Sequence, residues 1–240
     1  MSELQRRYSQ QTELLAQEAF GGLGCKDCGI TVLQGAKSWG AHETGKITLP
    51  GEQGPGEISI AYDERYAPYP LGPDGRERDE LLLSLADEGD LLVCAWALVE
   101  PHSPLRGIGV DLASNKDFDE HPAAQRYIKL LFTEREQELA PTLWSDNLAG
   151  SYAALFGAKE AAFKACAHPL RLWYRQHSQE LVFEVRHFSA VDAHTERGEQ
   201  RDGAAQRALD AMSIERMAIS SAPLDDKALV VACALSPSPA

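Results

Sequence analysis

The sequence predicts an α+β protein built from two related halves, about 1 to 104 and 105 to 240, and three observations predict it. The first is a repeated order of elements. Leu81 to Leu85 and Leu91 to Val99 are apolar runs about the acidic turn Ala86-Asp87-Glu88-Gly89-Asp90; Met217 to Ser221 and Ala228 to Leu235 repeat that order about Pro223-Leu224-Asp225-Asp226-Lys227. Two apolar runs about a turn signal read as a buried hairpin, and a repeated hairpin suggests a repeated half. The second is Gly107 to Asp111, preceded by Leu105 and Arg106, which reads as a buried strand. Ile108, Val110 and Leu112 alternate on one face, two glycines permit close backbone approach, and Asp111 points away from those three. The third is Ser145 to Ala167, with cap candidates Ser145, Asp146 and Asn147 at its start and Pro169 just past its end, which predicts a helix of about six turns.

At about 100° per residue, Ala153, Gly157, Glu160 and Lys164 fall along one stripe of that helix, and Leu155, Phe156, Phe163 and Cys166 gather on a more apolar neighbouring one. The plain reading of Glu160 and Lys164 is a solvated i,i+4 ion pair worth a few tenths of a kcal/mol. A mid-helix glycine costs roughly 1 kcal/mol relative to alanine. Gly157, one turn before Glu160, therefore implies that something approaches the backbone closely. The plain reading of Asp111 is a strand-end turn or cap acid.

The remaining elements follow in order. Residues 3 to 20 carry Leu4, Tyr8, Leu14, Leu15 and Phe20 among polar residues and predict an amphipathic helix that braces the body. Ile30 to Leu33, Lys46 to Leu49 and Ile58 to Tyr62 predict strands within a glycine-rich stretch. Pro68, Pro70 and Pro73 with the Gly72 to Gly75 cluster predict a surface loop ending in Arg76, Glu77 and Arg78. In the second half, His121 to Leu131 predicts a helix whose Arg126 and Lys129 join Lys116 and Arg135 in the densest basic patch near the proposed site. Leu172 to Tyr174 and Leu181 to Phe188 read as strands, Ala204 to Met212 as a helix, His194 to Asp202 as a mobile loop and Ser236 to Ala240 as a disordered tail.

Composition narrows the function. A chain of 240 residues with 44% hydrophobic content can bury a real core. No run approaches a membrane span and the N-terminus lacks an apolar signal core, so no membrane association and a cytoplasmic location are expected. The 36 acidic against 23 basic residues give a formal charge of -13, which argues against nonspecific nucleic-acid binding. Of the cysteines, Cys25-Lys26-Asp27-Cys28 has the spacing of half a zinc site, but no second CxxC or close His pair completes it, and a structural turn is expected there.

Three motifs occur in order: Gly107-Ile108-Gly109-Val110-Asp111, Phe132-Thr133-Glu134-Arg135-Glu136, and Phe156-Gly157-Ala158-Lys159-Glu160-Ala161-Ala162-Phe163-Lys164-Ala165. Together they resemble the signature of the 4′-phosphopantetheinyl transferase superfamily, which includes the holo-acyl-carrier-protein synthases. The resemblance implies transfer of 4′-phosphopantetheine from coenzyme A, as co-substrate, to a serine of an acyl or peptidyl carrier protein with Mg2+ as cofactor. It implies a pseudo-dimer of fused α+β halves with the site in the cleft between them, and hence a monomer. Asp111 and Glu160 are then the metal ligands, and Glu160, Lys164 and Asp111 the catalytic residues. Lys159 and Lys164 would contact phosphates of coenzyme A; first-half contacts do not carry over from the resemblance, and Arg76 and Arg78, in the loop entering the first hairpin, are the candidates there, their plain reading being a solvated loop. Position 113 is Ala where fused members commonly carry a third acid, and the Leu85 to Glu88 turn lacks the His of a Ser-His-Ser-like turn. These departures motivate an alternative, a catalytically silent coenzyme A- or carrier-protein-binding module on the same fold.

Overall fold

The computed structural model describes residues 3–34, 45–50, 56–62, 68–119, 123–165, 191–193 and 216–237. Helix α1 (Glu3–Phe20) leads into β1 (Cys25–Gln34), β2 (Gly45–Leu49), β3 (Gly56–Tyr62), β4 (Pro68–Leu71), β5 (Leu81–Glu88) and β6 (Leu91–Val99). The second half holds β7 (Leu105–Ser114), a 3-10 turn (Asn115–Asp117), α2 (Ala124–Leu131), α3 (Glu134–Leu143), α4 (Leu148–Ala165), β8 (Val191–Ala193), β9 (Arg216–Leu224) and β10 (Lys227–Leu235). The fold is mixed α and β, as the pattern predicts. The expected strands at 172–174 and 181–188, the helix at 204–212, the loop at 194–202 and the last three residues lie outside the described residues. Ser236, expected in a disordered tail, donates its amide to the Pro104 carbonyl at 2.8 Å.

Three antiparallel sheets form, in the orders β1-β6-β5, β7-β10-β9-β8 and β2-β3-β4. Alternation along each strand decides which layer it serves. On β6, Val93, Ala95 and Ala97 face a central core, while Cys94 and Trp96 face the β2-β3-β4 sheet. On β10, Leu229, Val231, Cys233 and Leu235 enter the same central core, while Ala228, Val230, Ala232 and Ala234 meet α4. Ile108, Val110 and Leu112 of β7 also turn into the central core, as expected. The first two sheets thus sandwich that core. The small sheet covers one outer side and the helices of the second half cover the other.

Helix α1 closes the edge of the central core with Tyr8, Leu15, Ala16, Ala19 and Phe20. It is tied to the β9–β10 turn, where the Tyr8 hydroxyl donates to Asp225 and Arg7 pairs with the same carboxylate. The brace expected of this helix is present, but Leu14 is not part of it: its side chain is 67% exposed, one step off the buried stripe.

Two local expectations are corrected and one element is added. Pro68 and Pro70, expected in a loop, belong to β4, an edge strand where a missing N–H is tolerated. Glu134–Leu143 is a helix that the charged sequence did not suggest. The CxxC segment is a bulged strand, not a turn: Cys25 pairs with Val99 and Asp27 with Leu98, leaving Lys26 as the extra residue.

Candidate active site

The site begins with an unusually close helix-to-strand packing. A Cβ on Gly107 would lie 2.0 Å from the Ala165 carbonyl oxygen, and one on Gly109 would lie 1.8 Å from that of Ala161. Only glycine lets the α4 backbone settle this deeply on β7. Asp111, two residues beyond Gly109 on the same face, is thereby pressed against the helix. A Cβ on Gly157 would meet Val230 Cγ2 at 2.9 Å and Asp111 Oδ2 at 3.5 Å. The close approach implied by a mid-helix glycine is therefore made by β10 and by the Asp111 carboxylate.

The N-terminus of α4 is set by Asn147, whose Oδ1 accepts from the Gly150 amide at 2.8 Å. Seven residues past Gly157, Lys164 donates to Asp111 Oδ1 at 2.8 Å and to the Val110 carbonyl at 2.9 Å. The pair is partly exposed, with side chains 29% and 13% accessible for Lys164 and Asp111. Glu160 is half-buried on the same stripe, between Gly157 and Lys164. The structure thus brings Asp111, Glu160 and Lys164 to one face of α4, although Asp111 and Lys164 lie 53 residues apart in the chain.

Lys159 is placed elsewhere. Its ammonium donates to Glu136 Oε2 at 2.8 Å and to the Leu131 carbonyl at 2.7 Å, and the two side chains are 2% and 1% accessible. Burial pulls the Lys159 ammonium below its ordinary value, and the Glu136 carboxylate opposes that shift. Glu136 also closes a capping box at the start of α3, accepting from the Thr133 amide at 2.8 Å while Thr133 Oγ1 accepts from the Glu136 amide. The second motif therefore ties α3 to α4, and Lys159 serves that tie. Lys159 is adjacent to Glu160 in sequence, yet successive helical residues project about 100° apart.

The first half reaches this region through β5. The Ser84 hydroxyl accepts from the Val110 amide at 3.0 Å, next to Asp111. Since β6 turns back into β7 through residues 100–104, β5 and β7 run in the same direction, and Glu88 at the end of β5 lies toward the Asp111 end of β7. Burial pushes the Glu88 carboxyl up, Asp117 adds to this, and Asp111 contributes while Lys227 opposes. Glu88 is a carboxylate of the site region that sequence reasoning did not select, although it stood in the acidic turn. Arg76 and Arg78 lie before the start of β5, toward the opposite end, and face Asp74 and Glu80 at 3.8 and 2.7 Å. Ala113 faces the α4-side core with Phe118 and Tyr152, a place that an acid could not occupy without desolvation. In the basic patch, Arg126 and Lys129 are exposed, and Lys116 pairs with Asp226 at 2.9 Å.

Comparison with known proteins gives a family match and several structural neighbours. Residues 107–221 match the family described as the 4′-phosphopantetheinyl transferase superfamily. No curated protein sequence matches. Among solved structures, the holo-[acyl-carrier-protein] synthase of Neisseria meningitidis is similar over 54% of this chain and 98% of its own, at 20% identity and a TM-score of 0.31. The family match spans β7 with Asp111, the Thr133–Glu136 cap and the whole of α4, the segments whose packing builds the site. Over residues 107–221, just under half of its length, the chain is similar to the 4′-phosphopantetheinyl transferase superfamily.

Proposed function

We propose that this chain transfers 4′-phosphopantetheine from coenzyme A to a serine of an acyl or peptidyl carrier protein. The observation that carries the reading is the Asp111 carboxylate lodged against the α4 stripe that bears Glu160 and Lys164. In the reaction the serine oxygen forms a bond to the phosphorus nearest the pantetheine, the pyrophosphate P–O bond breaks, and 3′,5′-bisphosphoadenosine leaves. Positioning and charge neutralisation are the main tasks of such a step.

The residues fit a hard divalent ion. Asp111 and Glu160 offer carboxylate oxygens, and among the described residues no cluster of three or more His, Cys, Asp or Glu side chains forms a metal cage. One or two carboxylates, with the remaining positions left to substrate phosphate and water, suit magnesium. Bound there, Mg2+ would offset charge on the pyrophosphate oxygens. Lys164 would exchange part of its contact with Asp111 for the departing phosphate, and Glu160 would accept the serine proton. Lys159 is given a positioning role, because using it on a phosphate would leave Glu136 charged and unpaired in the interior.

The hydrogen bond from the Val110 amide to Ser84 and the position of Glu88 support a site in the cleft between two halves. The matching strand orders β1-β6-β5 and β7-β10-β9 support the reading of two related halves, 1 to 104 and 105 to 240, fused in one monomer. The small β2-β3-β4 sheet occupies the place in the first half that α2 to α4 occupy in the second. Arg76 and Arg78 remain first-half candidates for coenzyme A only through movement of their loop.

The test is release of 3′,5′-bisphosphoadenosine from coenzyme A. Release should require both carrier protein and Mg2+ and stop on chelation. Release independent of carrier, or none with any of several acyl and peptidyl carriers, would remove the reading.

A further inference from the structure

A cleft of about 740 Å³ lies between α1 and β1, remote from Asp111, Glu160 and Lys164. Six consecutive residues of β1, Asp27 to Val32, line it. Successive strand residues point to opposite faces, so a cleft touching all six follows the edge of the strand rather than either face. β1 is the terminal strand of its sheet, and among the described residues only β6 pairs with it.

The walls carry unmet hydrogen-bonding demand. Among the described residues, Trp96, 1% exposed, has its indole Nε1 buried without a partner, and Thr31 Oγ1 is likewise unpartnered. The indole rests on Gly29, where a Cβ would lie 3.1 Å from Nε1. A buried donor left unmade is costly, which favours an occupant carrying acceptors. Ile30, Val32 and Ala16 supply apolar wall, and Glu13 and Asp27 place carboxylates on the lining.

We propose that this cleft binds an extended segment of a partner protein, apolar at alternate positions with Lys or Arg between, which adds to β1 as a fourth strand. An extended backbone repeats its N–H and C=O groups at the strand spacing of roughly 3.3 Å per residue, so it matches the edge along its whole length. The apolar side chains enter the Ile30/Val32 wall, and the basic ones face Glu13 and Asp27. The proposal is independent of the transfer chemistry.

The probe is a capped peptide of about eight residues alternating Val and Lys, titrated calorimetrically into the full chain. Two controls are N-methylated, one on every Val and one on every Lys. Strand addition uses one edge of the peptide, so one methylated set should weaken binding by about tenfold or more while the other is tolerated. Bound peptide should also slow alkylation of the Cys28 thiol, and Glu13→Lys with Asp27→Lys should weaken binding by about tenfold. Equal binding of both methylated peptides would mean simple attraction to an acidic chain and would overturn the proposal. So would absence of saturable binding, or saturation that leaves Cys28 alkylation unchanged.

Discussion

Glu136 and Lys159 are the residues whose removal should be felt most in stability. Breaking a buried pair from one side leaves the other charge uncompensated and typically costs about 3–5 kcal/mol. Lys159→Met keeps most of the volume but strands the Glu136 carboxylate, which retains only the Thr133 donors. Glu136→Gln strands the ammonium instead. We expect each single variant to unfold at clearly lower denaturant, and the double variant to lose much less than the sum of the two. Additive losses in a double-mutant cycle would show that the two groups do not act as a pair. Phe132 to Glu136 stood out only as one of three ordered motifs; neither its cap nor its partner was legible. Lys159 lies 23 residues further on, and no local periodicity encodes a contact across two helices. Asp111, Glu160 and Lys164 were legible because a strand alternation and a helical stripe each point one way, and the glycines mark where the two surfaces meet.

At the scale of elements, the β9–β10 turn holds the 3-10 turn after β7 in place. The Asn115 amide donates to the Asp226 carbonyl at 2.8 Å, while the Asp226 carboxylate faces Lys227 and Lys116 at 2.7 and 2.9 Å. Lys227 first, then Lys116, hold the Asp226 carboxyl down at about 2 against an ordinary 3.8. A carboxyl with a lowered folded value stabilises above its unfolded value and loses that contribution as pH falls through the folded one. The contribution should therefore fade between about pH 4 and pH 2, and it should be small because the group is largely solvated. Asp226→Asn should flatten the stability profile in that window and leave it unchanged near neutrality; an identical acid limb in both proteins would contradict the clamp. Both hairpins were legible from their turns, whereas β4 and α3 were not. Prolines and dense charge are loop signals to a local reading, yet an edge strand tolerates the first and a capped helix the second. Gly89 and Asp225, both at positive φ, let each hairpin turn tightly.

For the whole molecule, the proposed function would require a chain of formal charge -13 to dock an acidic carrier protein. Arg126 and Lys129 on α2 are exposed cations between Asp111 and α4 in the chain, and under the proposed function they would supply the local field that the overall charge lacks. Charge reversal at both should raise KM for the carrier at low salt and leave coenzyme A affinity nearly unchanged. The defect should shrink as added salt screens the introduced repulsion. An unchanged carrier KM would move docking to another face. The repeated strand order could be anticipated from two acidic hairpins, and the strands at 30–33, 46–49 and 58–62 were legible, but the pairing of the last two with β4 into a small sheet opposite the helices was not, because alternation along a strand does not name its partner. The central claim is that Asp111 and Glu160 serve group transfer rather than mere helix packing. Mass spectrometry of a carrier protein after incubation with coenzyme A, Mg2+ and this chain tests it most directly. The account predicts a gain of one phosphopantetheine with the wild-type chain and none with Glu160→Ala, at a midpoint of unfolding close to wild type. Full modification by folded Glu160→Ala, or no gain on any carrier with the wild-type chain, would contradict it.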